Sequence, residues 1–108
     1  MKQYKLVLES QLGPREGMLQ LEDQNGILKG TITLLGYDNP VFGKWNGEHS
    51  IRLFHHLHTR ISDLSCVSVF EMEGNAITGT LQNSWNVMKW HGERETSMKG
   101  GNTENGEE

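Results

Sequence analysis

Pairs of turn-forming residues interrupt this chain at short intervals and leave little room for long helices. They include Gly13-Pro14, Asn25-Gly26, Asn46-Gly47 and Gly74-Asn75. Turn signals spaced by roughly 8–12 residues are typical of all-β sandwiches and barrels. Connections this short require antiparallel neighbours, because a parallel crossover needs a much longer link. The spacing therefore predicts an all-β, antiparallel fold.

The segments between the turns alternate apolar and polar residues. Tyr4, Leu6 and Leu8 share one side of the first segment, and Ile77 and Leu81 share one side of a later segment. One apolar face per strand indicates a strand packed on a single core. We predict eight strands, at about residues 3–10, 16–23, 27–35, 39–45, 49–58, 64–72, 75–82 and 86–93. Since closure removes unpaired edges, the predicted fold is a single up-and-down meander β-barrel of about eight strands.

One segment is open to a second interpretation. Residues 48–64 contain no Gly or Pro. Several of their side chains also suit one face of a helix, namely Ile51, Phe54, His55, His58 and Ile61. We favour a strand here, because β-branched residues flank the segment and the meander requires a strand at this place.

Two stretches of the chain resemble each other at a fixed spacing. Gly30 lies in an apolar-x-Gly-Thr pattern that recurs at Gly79, and the spacing is 79 − 30 = 49 residues. Gly43 has a counterpart in Gly92 at the same spacing. Glycines inside strands mark positions where a strand bends or a neighbour crosses closely. The echo is compatible with a duplicated half-barrel and equally with a pattern that hairpins share.

The composition sets limits on domains and partners. A chain of 108 residues with 34% hydrophobic content can bury one thin core, so we predict a single domain over residues 1–93. Residues 94–108 are acidic without apolar periodicity, which predicts a disordered tail. The net charge of −4 offers no basic footprint, so neither nucleic acid nor membrane is expected as a partner.

The cellular location follows from the cysteine content and from the lack of targeting features. Cys66 is the single cysteine, so no internal disulfide can form. No apolar segment of a signal peptide is visible near Met1, and no apolar run is long enough to span a bilayer. We therefore expect a cytoplasmic protein.

An ordered set of turn-and-strand motifs covers about residues 3–94. The motifs are Gly13-Pro14-x-x-Gly17-x-Leu19-x-Leu21, Leu28-x-Gly30-Thr31, Asn39-Pro40-x-Phe42-Gly43, Ile77-x-Gly79-Thr80-Leu81 and Gly92-x-Arg94. With these motifs the chain resembles small calycin-like barrels of the lipocalin and streptavidin type. The likeness is strongest to short, single-domain bacterial members of uncharacterised function. The resemblance implies a closed barrel and, less directly, ligand binding at its mouth.

Aromatic side chains are the candidate ligand-binding residues. An eight-stranded barrel has room for packed side chains or for one small ligand, and large aromatic rings suit the lining or lid of such a site. The favoured function is non-enzymatic binding of a small apolar or aromatic ligand at the barrel mouth. The alternative is a structural or protein-interaction module that acts through oligomerisation and has no ligand cavity. The candidates are Phe42, Trp45, Phe54, Phe70, Trp85 and Trp90.

The histidines form a weaker candidate site. In a strand, His56 and His58 share one face and His55 takes the other. The weak candidates for metal ligands are His56, His58 and His91, but zinc requires three or four ligands and no further partner is evident. We therefore predict no metal, no cofactor and no enzymatic activity.

The sixth predicted strand is apolar on both faces. Val67 and Val69 share one face, whereas Cys66 and Phe70 share the other. A strand with two apolar faces is covered on both sides. If one face lines the barrel, the other meets a second subunit. We therefore predict a homo-oligomer through the strands around Phe54 and Val67–Val69.

Overall fold

A computed structural model of the chain describes residues 2–58 and 61–95. These residues form eight strands and no helix, and therefore contain no helix suited to crossing a membrane. Each strand pairs antiparallel with the next, and the last pairs with the first, so the sheet closes into a barrel. The strands are β1 Lys2–Ser10, β2 Gly13–Gln24, β3 Ile27–Leu34, β4 Tyr37–Trp45, β5 Ser50–His58, β6 Asp63–Glu73, β7 Ala76–Gln82 and β8 Val87–Arg94. The predicted up-and-down meander barrel is confirmed.

Two segments with distinctive sequence-based predictions can be compared with the structure. In the ambiguous segment at residues 48–64, the described residues 48–58 and 61–64 include β5 and the start of β6, so the strand interpretation is confirmed. The predicted tail at residues 94–108 lies outside the described residues, except for Arg94 and Glu95. Glu95 extends the seam between β1 and β8, because its backbone N–H donates to the Gln3 carbonyl at 2.8 Å.

Alternation along each strand decides which side chains enter the barrel. On β1, Tyr4, Leu6 and Leu8 are buried while the lysines and Glu9 face solvent. Phe70 and Trp90 occupy the interior with ring centroids 5.7 Å apart. Each large apolar side chain that leaves water contributes about 1.5–3 kcal/mol. The interior of the described barrel is therefore a packed core.

Glycines allow neighbouring strands to approach very closely. A Cβ added at Gly30 would lie 1.7 Å from the backbone oxygen of Gln20, and one at Gly79 would lie 2.0 Å from that of Val69. No side chain fits at either position. Tight coiling of this kind lets short strands close into a barrel. This confirms that both glycines lie where a neighbouring strand crosses.

The sequence echo relates the two halves of the barrel. Strands β1 to β4 correspond in order to β5 to β8. The pairing of Lys2 with Leu21 between β1 and β2 recurs 49 residues later as the pairing of Ile51 with Phe70 between β5 and β6. Equal register in the two halves favours the interpretation of the echo as a duplicated half-barrel.

Candidate functional site

The two ends of the barrel have different surfaces. Because the strands alternate in direction, the β2–β3, β4–β5 and β6–β7 turns lie together at one end, called here the cleft end. The other four turns lie at the opposite end, called here the distal end. A cleft of about 400 Å³ opens at the cleft end. It is lined by Lys2, Tyr4, Leu21, Glu22, Asp23, Gln24, Leu28, Trp45, Ile51 and Met72.

The floor of the cleft is apolar. Leu21, Leu28 and Ile51 are buried members of the hydrophobic core that point to this end of the barrel. Phe70 pairs with Ile51 and is completely buried. The floor therefore continues directly into the packed interior, and the cleft is a shallow mouth with no tunnel beneath it.

The rim of the cleft holds an indole ring in a fixed orientation. Trp45 Nε1 donates a hydrogen bond to Asp23 Oδ2 at 2.9 Å, and the Gly26 N–H donates to Asp23 Oδ1 at 2.8 Å. Lys2 Nζ lies 5.9 Å from the centroid of the Trp45 ring. The hydrogen bond from Trp45, followed by that from Gly26, lowers the pKa of Asp23 below its usual range. The rim thus places an anchored indole beside one cation and one ionised carboxylate.

Tyr4 adds a polar atom to the floor without adding charge. Its hydroxyl donates to Met72 Sδ at 3.7 Å. Burial raises the pKa of Tyr4, against the opposing effect of the Arg94 charge. The phenol is therefore neutral at physiological pH and can donate or accept one hydrogen bond at the bottom of the cleft.

A second polar group lies deeper, inside the core. Trp90 Nε1 donates to Ser68 Oγ at 3.0 Å, and Ser68 Oγ lies 2.8 Å from His55 Nε2. His55 Nδ1 lies 3.0 Å from the His56 carbonyl oxygen. Since a carbonyl only accepts, Nδ1 carries the proton and Nε2 accepts from the Ser68 hydroxyl. Burial, the largest effect, lowers the pKa of His55, so the imidazole is neutral.

The Ser68–His55 pair has the spacing of a nucleophile and its base. Ser68 is completely buried, however, and its hydroxyl lies among packed core side chains. A substrate has no route to it in this structure. The pair is a satisfied polar network that links three strands of the core.

The weak metal-ligand candidates lie at two places on the outer surface. His56 Nδ1 lies 2.9 Å from Asp63 Oδ1, and His58 Nε2 lies 3.6 Å from Asp63 Oδ2, so both imidazoles lie beside one carboxylate. His58 Nδ1 is closer to another partner, Asn39 Oδ1, at 2.8 Å. His91 pairs with Glu9 at 2.6 Å on other strands. Across residues 2–58 and 61–95, no three His, Cys, Asp or Glu side chains gather into a metal-holding group.

The structure places the six candidate aromatic residues in three different environments. Trp45 lies on the rim of the cleft, and Phe70 and Trp90 lie in the core. Phe42 and Phe54 project from the outer wall, and Trp85 lies in the β7–β8 turn with 80% of its surface exposed. A ligand-binding role for the six residues stays a prediction.

Three of the six aromatic side chains lie outside both the core and the cleft. Phe42 and Phe54 are cross-strand partners. Their sequence neighbours Val41 and Leu53 enter the core, so both phenylalanines point outward. Trp85 stands in a turn and reaches neither the core nor the cleft.

Sequence reasoning missed most of the cleft. The candidates were chosen for their aromatic type and not for their position along a strand. Four lining residues were therefore missed, namely Lys2, Tyr4, Asp23 and Met72. All four lie where a predicted strand begins or ends on the same side of the meander as Trp45. Grouping residues by barrel end is the signal that could have found them.

Comparisons with known proteins support the fold. No protein-family model and no curated protein matches the chain. The crystal structure of apo lipid binding protein 8 from Caenorhabditis elegans is similar, with a TM-score of 0.51 and 12% sequence identity. The match covers 86% of this chain and 93% of that chain. The fold is thus that of a calycin-like β-barrel, and no particular family within that class is assigned.

Proposed function

We propose that the protein binds one small, flat and mainly apolar molecule in the cleft, with a ring of the ligand against Trp45. The observation that carries this proposal is the hydrogen-bonded Trp45 indole at the rim of the cleft of about 400 Å³, above its apolar floor. The volume of the cleft lies within the range of roughly 300–1,000 Å³ that is usual for small-molecule sites. The fixed indole supplies contact area that costs little conformational entropy on binding.

The lining restricts the chemistry of the ligand. The floor carries the neutral Tyr4 hydroxyl among aliphatic side chains, so it favours an apolar body with at most one hydrogen-bonding group. Lys2 and Asp23 lie at the rim, where polar substituents of the ligand remain in contact with water. Lipid binding protein 8 is by its name a lipid-binding protein. Because the core here is packed beneath Ile51, a compact ligand suits this chain better than a long acyl chain.

Titration with the fluorescent probe 1-anilinonaphthalene-8-sulfonate tests the proposal. The wild-type protein should bind one probe molecule saturably, and Trp45→Ala should weaken binding by about tenfold. Phe42→Ala is the matched control, since it removes an exposed ring from the outer wall and should leave binding unchanged. Equal binding by wild type and Trp45→Ala, or loss of binding in Phe42→Ala, would reject the cleft as the site.

A second candidate function is self-association through the outer wall. The Phe42 and Phe54 rings lie 6.0 Å apart, and Phe54 pairs with Val67 on the next strand. We infer that this outer row, Phe42–Phe54–Val67, is the surface through which the predicted homo-oligomer forms. Light scattering at micromolar concentration should give a multiple of the chain mass, and Phe54→Ser should reduce it to the monomer. A monomer mass for the wild type excludes this candidate.

A further inference from the structure

Each of the four turns at the distal end carries a large apolar side chain that is exposed. These side chains, called here the apolar tips, occupy the β1–β2, β3–β4, β5–β6 and β7–β8 turns in that order. Their exposed fractions are 85% for Leu12, 45% for Leu35, 95% for Ile61 and 80% for Trp85. Four separate turns on one side of the molecule therefore share a feature that costs solubility.

The turns of the cleft end lack this feature, although Ile27, the first residue of β3, is 55% exposed beside one of them. The described turns of this end are formed by residues 25–26, 46–49 and 74–75, which are polar or Gly throughout. The pattern therefore belongs to one end of the barrel and is not a general property of its turns.

One apolar tip occupies a backbone conformation that is unfavourable for its residue type. Leu35 and Gly36 have φ angles of 56° and 82°, and Asn25 and Gly26 form the same two-residue turn at the cleft end with 58° and 88°. Such turns favour Asn at the first position, because a branched side chain is strained at positive φ. Leu35 is not needed for the turn and is only half covered by the core. Its presence indicates a role outside the fold.

The β7–β8 turn is held in shape without any contribution from its tryptophan ring. Asn83 Oδ1 accepts hydrogen bonds from the Trp85 N–H at 2.8 Å and from the Asn86 N–H at 3.0 Å. The backbone of the turn is thus fixed by an asparagine side chain. The Trp85 ring is presented to solvent from a formed turn.

The distal turns are also almost free of charge. Among their described residues, which are 11–12, 35–36, 61–62 and 83–86, no side chain is charged. Arg60, which lies outside the described residues, is the one charged residue in the sequence of these four turns. Insertion of the tips into an apolar phase would therefore desolvate few charges, with Arg60 and Asp63 flanking Ile61 in the sequence.

We propose that the distal end docks on a lipid bilayer surface by inserting the four apolar tips into its interfacial region. The tips stand on four separate turns, and the other described residues of these turns are uncharged. A fluid bilayer accepts apolar side chains from separate turns without a matching surface, whereas a protein partner would need one. Tryptophan is favoured at the membrane interface. The attraction is apolar, so it does not require the polybasic patch that the sequence lacks.

Docking in this orientation leaves the cleft free. The cleft end lies at the opposite side of the barrel, a strand length away from the apolar tips. Ligand exchange through the cleft and contact with lipid can therefore occur at the same time. The lipid-docking proposal does not depend on whether the cleft binds a ligand.

Co-sedimentation of the full chain with phosphatidylcholine vesicles tests the proposal. The wild type should sediment with the vesicles, and its tryptophan fluorescence should be quenched by brominated phosphatidylcholine. A variant with Leu12→Ser, Ile61→Ser and Trp85→Ser should lose about tenfold or more of its partitioning. The matched control is Ile27→Ser, which removes an apolar side chain that is 55% exposed beside the β2–β3 turn at the cleft end and should partition as the wild type does.

Leu35→Asn separates docking from folding. Asn relieves the strain of the turn, so this variant should melt at the same temperature as the wild type or higher. Its vesicle partitioning should nevertheless decrease severalfold. Wild type that stays in the supernatant, or equal loss in the Ile27→Ser control, overturns the proposal. The proposal is also overturned if the wild type forms a concentration-dependent oligomer, does not bind vesicles, and becomes monomeric on Leu35→Asn substitution. The tips would then bind a second copy of the chain.

Discussion

Ser68 Oγ lies 2.8 Å from His55 Nε2 inside the barrel, where neither side chain has appreciable contact with water. The hydroxyl also accepts a hydrogen bond from Trp90 Nε1 at 3.0 Å. One serine therefore satisfies two buried ring nitrogens from two other strands, β5 and β8. Buried polar networks are costly when they are only partly satisfied. This network consequently makes the stability of the barrel sensitive to protonation and to single substitutions.

The folded protein should lose stability in mildly acidic solution. Burial holds the pKa of His55 below its ordinary value of 6.5, so the unfolded chain binds a proton more readily than the folded protein does. The stabilising effect is complete above pH 6.5 and decreases as the pH falls from there toward the lower pKa of the folded state. The slope contributed by this group is at most about 1.4 kcal/mol per pH unit. Urea unfolding between pH 8 and pH 5 measures it.

The exposed His49 provides the control for that measurement. His49→Gln should retain the pH dependence, and His55→Gln should flatten it. Should His55→Gln fail to fold, an NMR titration of the wild-type imidazole replaces it. A His55 resonance that titrates at or above 6.5 in the native protein would show that burial does not depress its pKa.

Ser68→Ala should destabilise the barrel by about 1–3 kcal/mol. The substitution leaves Trp90 Nε1 without an acceptor and His55 Nε2 without a donor, and both are buried. Ser65→Ala on the exposed face of the same strand is the matched control and should change the free energy of unfolding by less than about 0.5 kcal/mol. Similar values for the two variants in guanidinium unfolding would mean that the network contributes nothing specific.

Gly79→Ala should destabilise the protein by about 3 kcal/mol or prevent folding, because its Cβ would lie 2.0 Å from the Val69 backbone oxygen. Thr80→Ala, next to it on the outer face, should have a small effect. Thermal unfolding measures both. If Gly79→Ala melts together with the control, β6 and β7 do not approach as closely as the barrel geometry requires.

Much of the architecture follows from the sequence. Turn pairs such as Asn25-Gly26 and the alternation around Leu6 predict the strands, and antiparallel order follows from the short connections. Closure follows because a meander of this length otherwise leaves two unpaired edges. Gly30 and Gly79 predict close strand crossing, since no other residue type tolerates a backbone so near.

The candidate site was much less predictable. Trp45 was found, but its partners Lys2 and Asp23 are far from it in sequence and meet it only in the folded meander, where the ends of β1, β2 and β4 lie at the cleft end. The outward orientation of Phe42 and Phe54 was not predicted, because aromatic type says little about which strand face a residue takes. Their orientation depends on the parity of β4 and β5, which shifts with a single residue of register.

Mapping amide and indole NMR shifts during ligand titration tests the binding proposal most directly. With 1-anilinonaphthalene-8-sulfonate as the probe, the largest shifts should occur at the Trp45 indole N–H and at residues 21–24, with Met72 following. The Trp85 indole at the distal end serves as an internal reference and should not move. Saturable shifts centred on the Trp45 rim support ligand binding in the cleft. Shifts confined to the Phe42–Phe54 wall, or no shifts at all, contradict it.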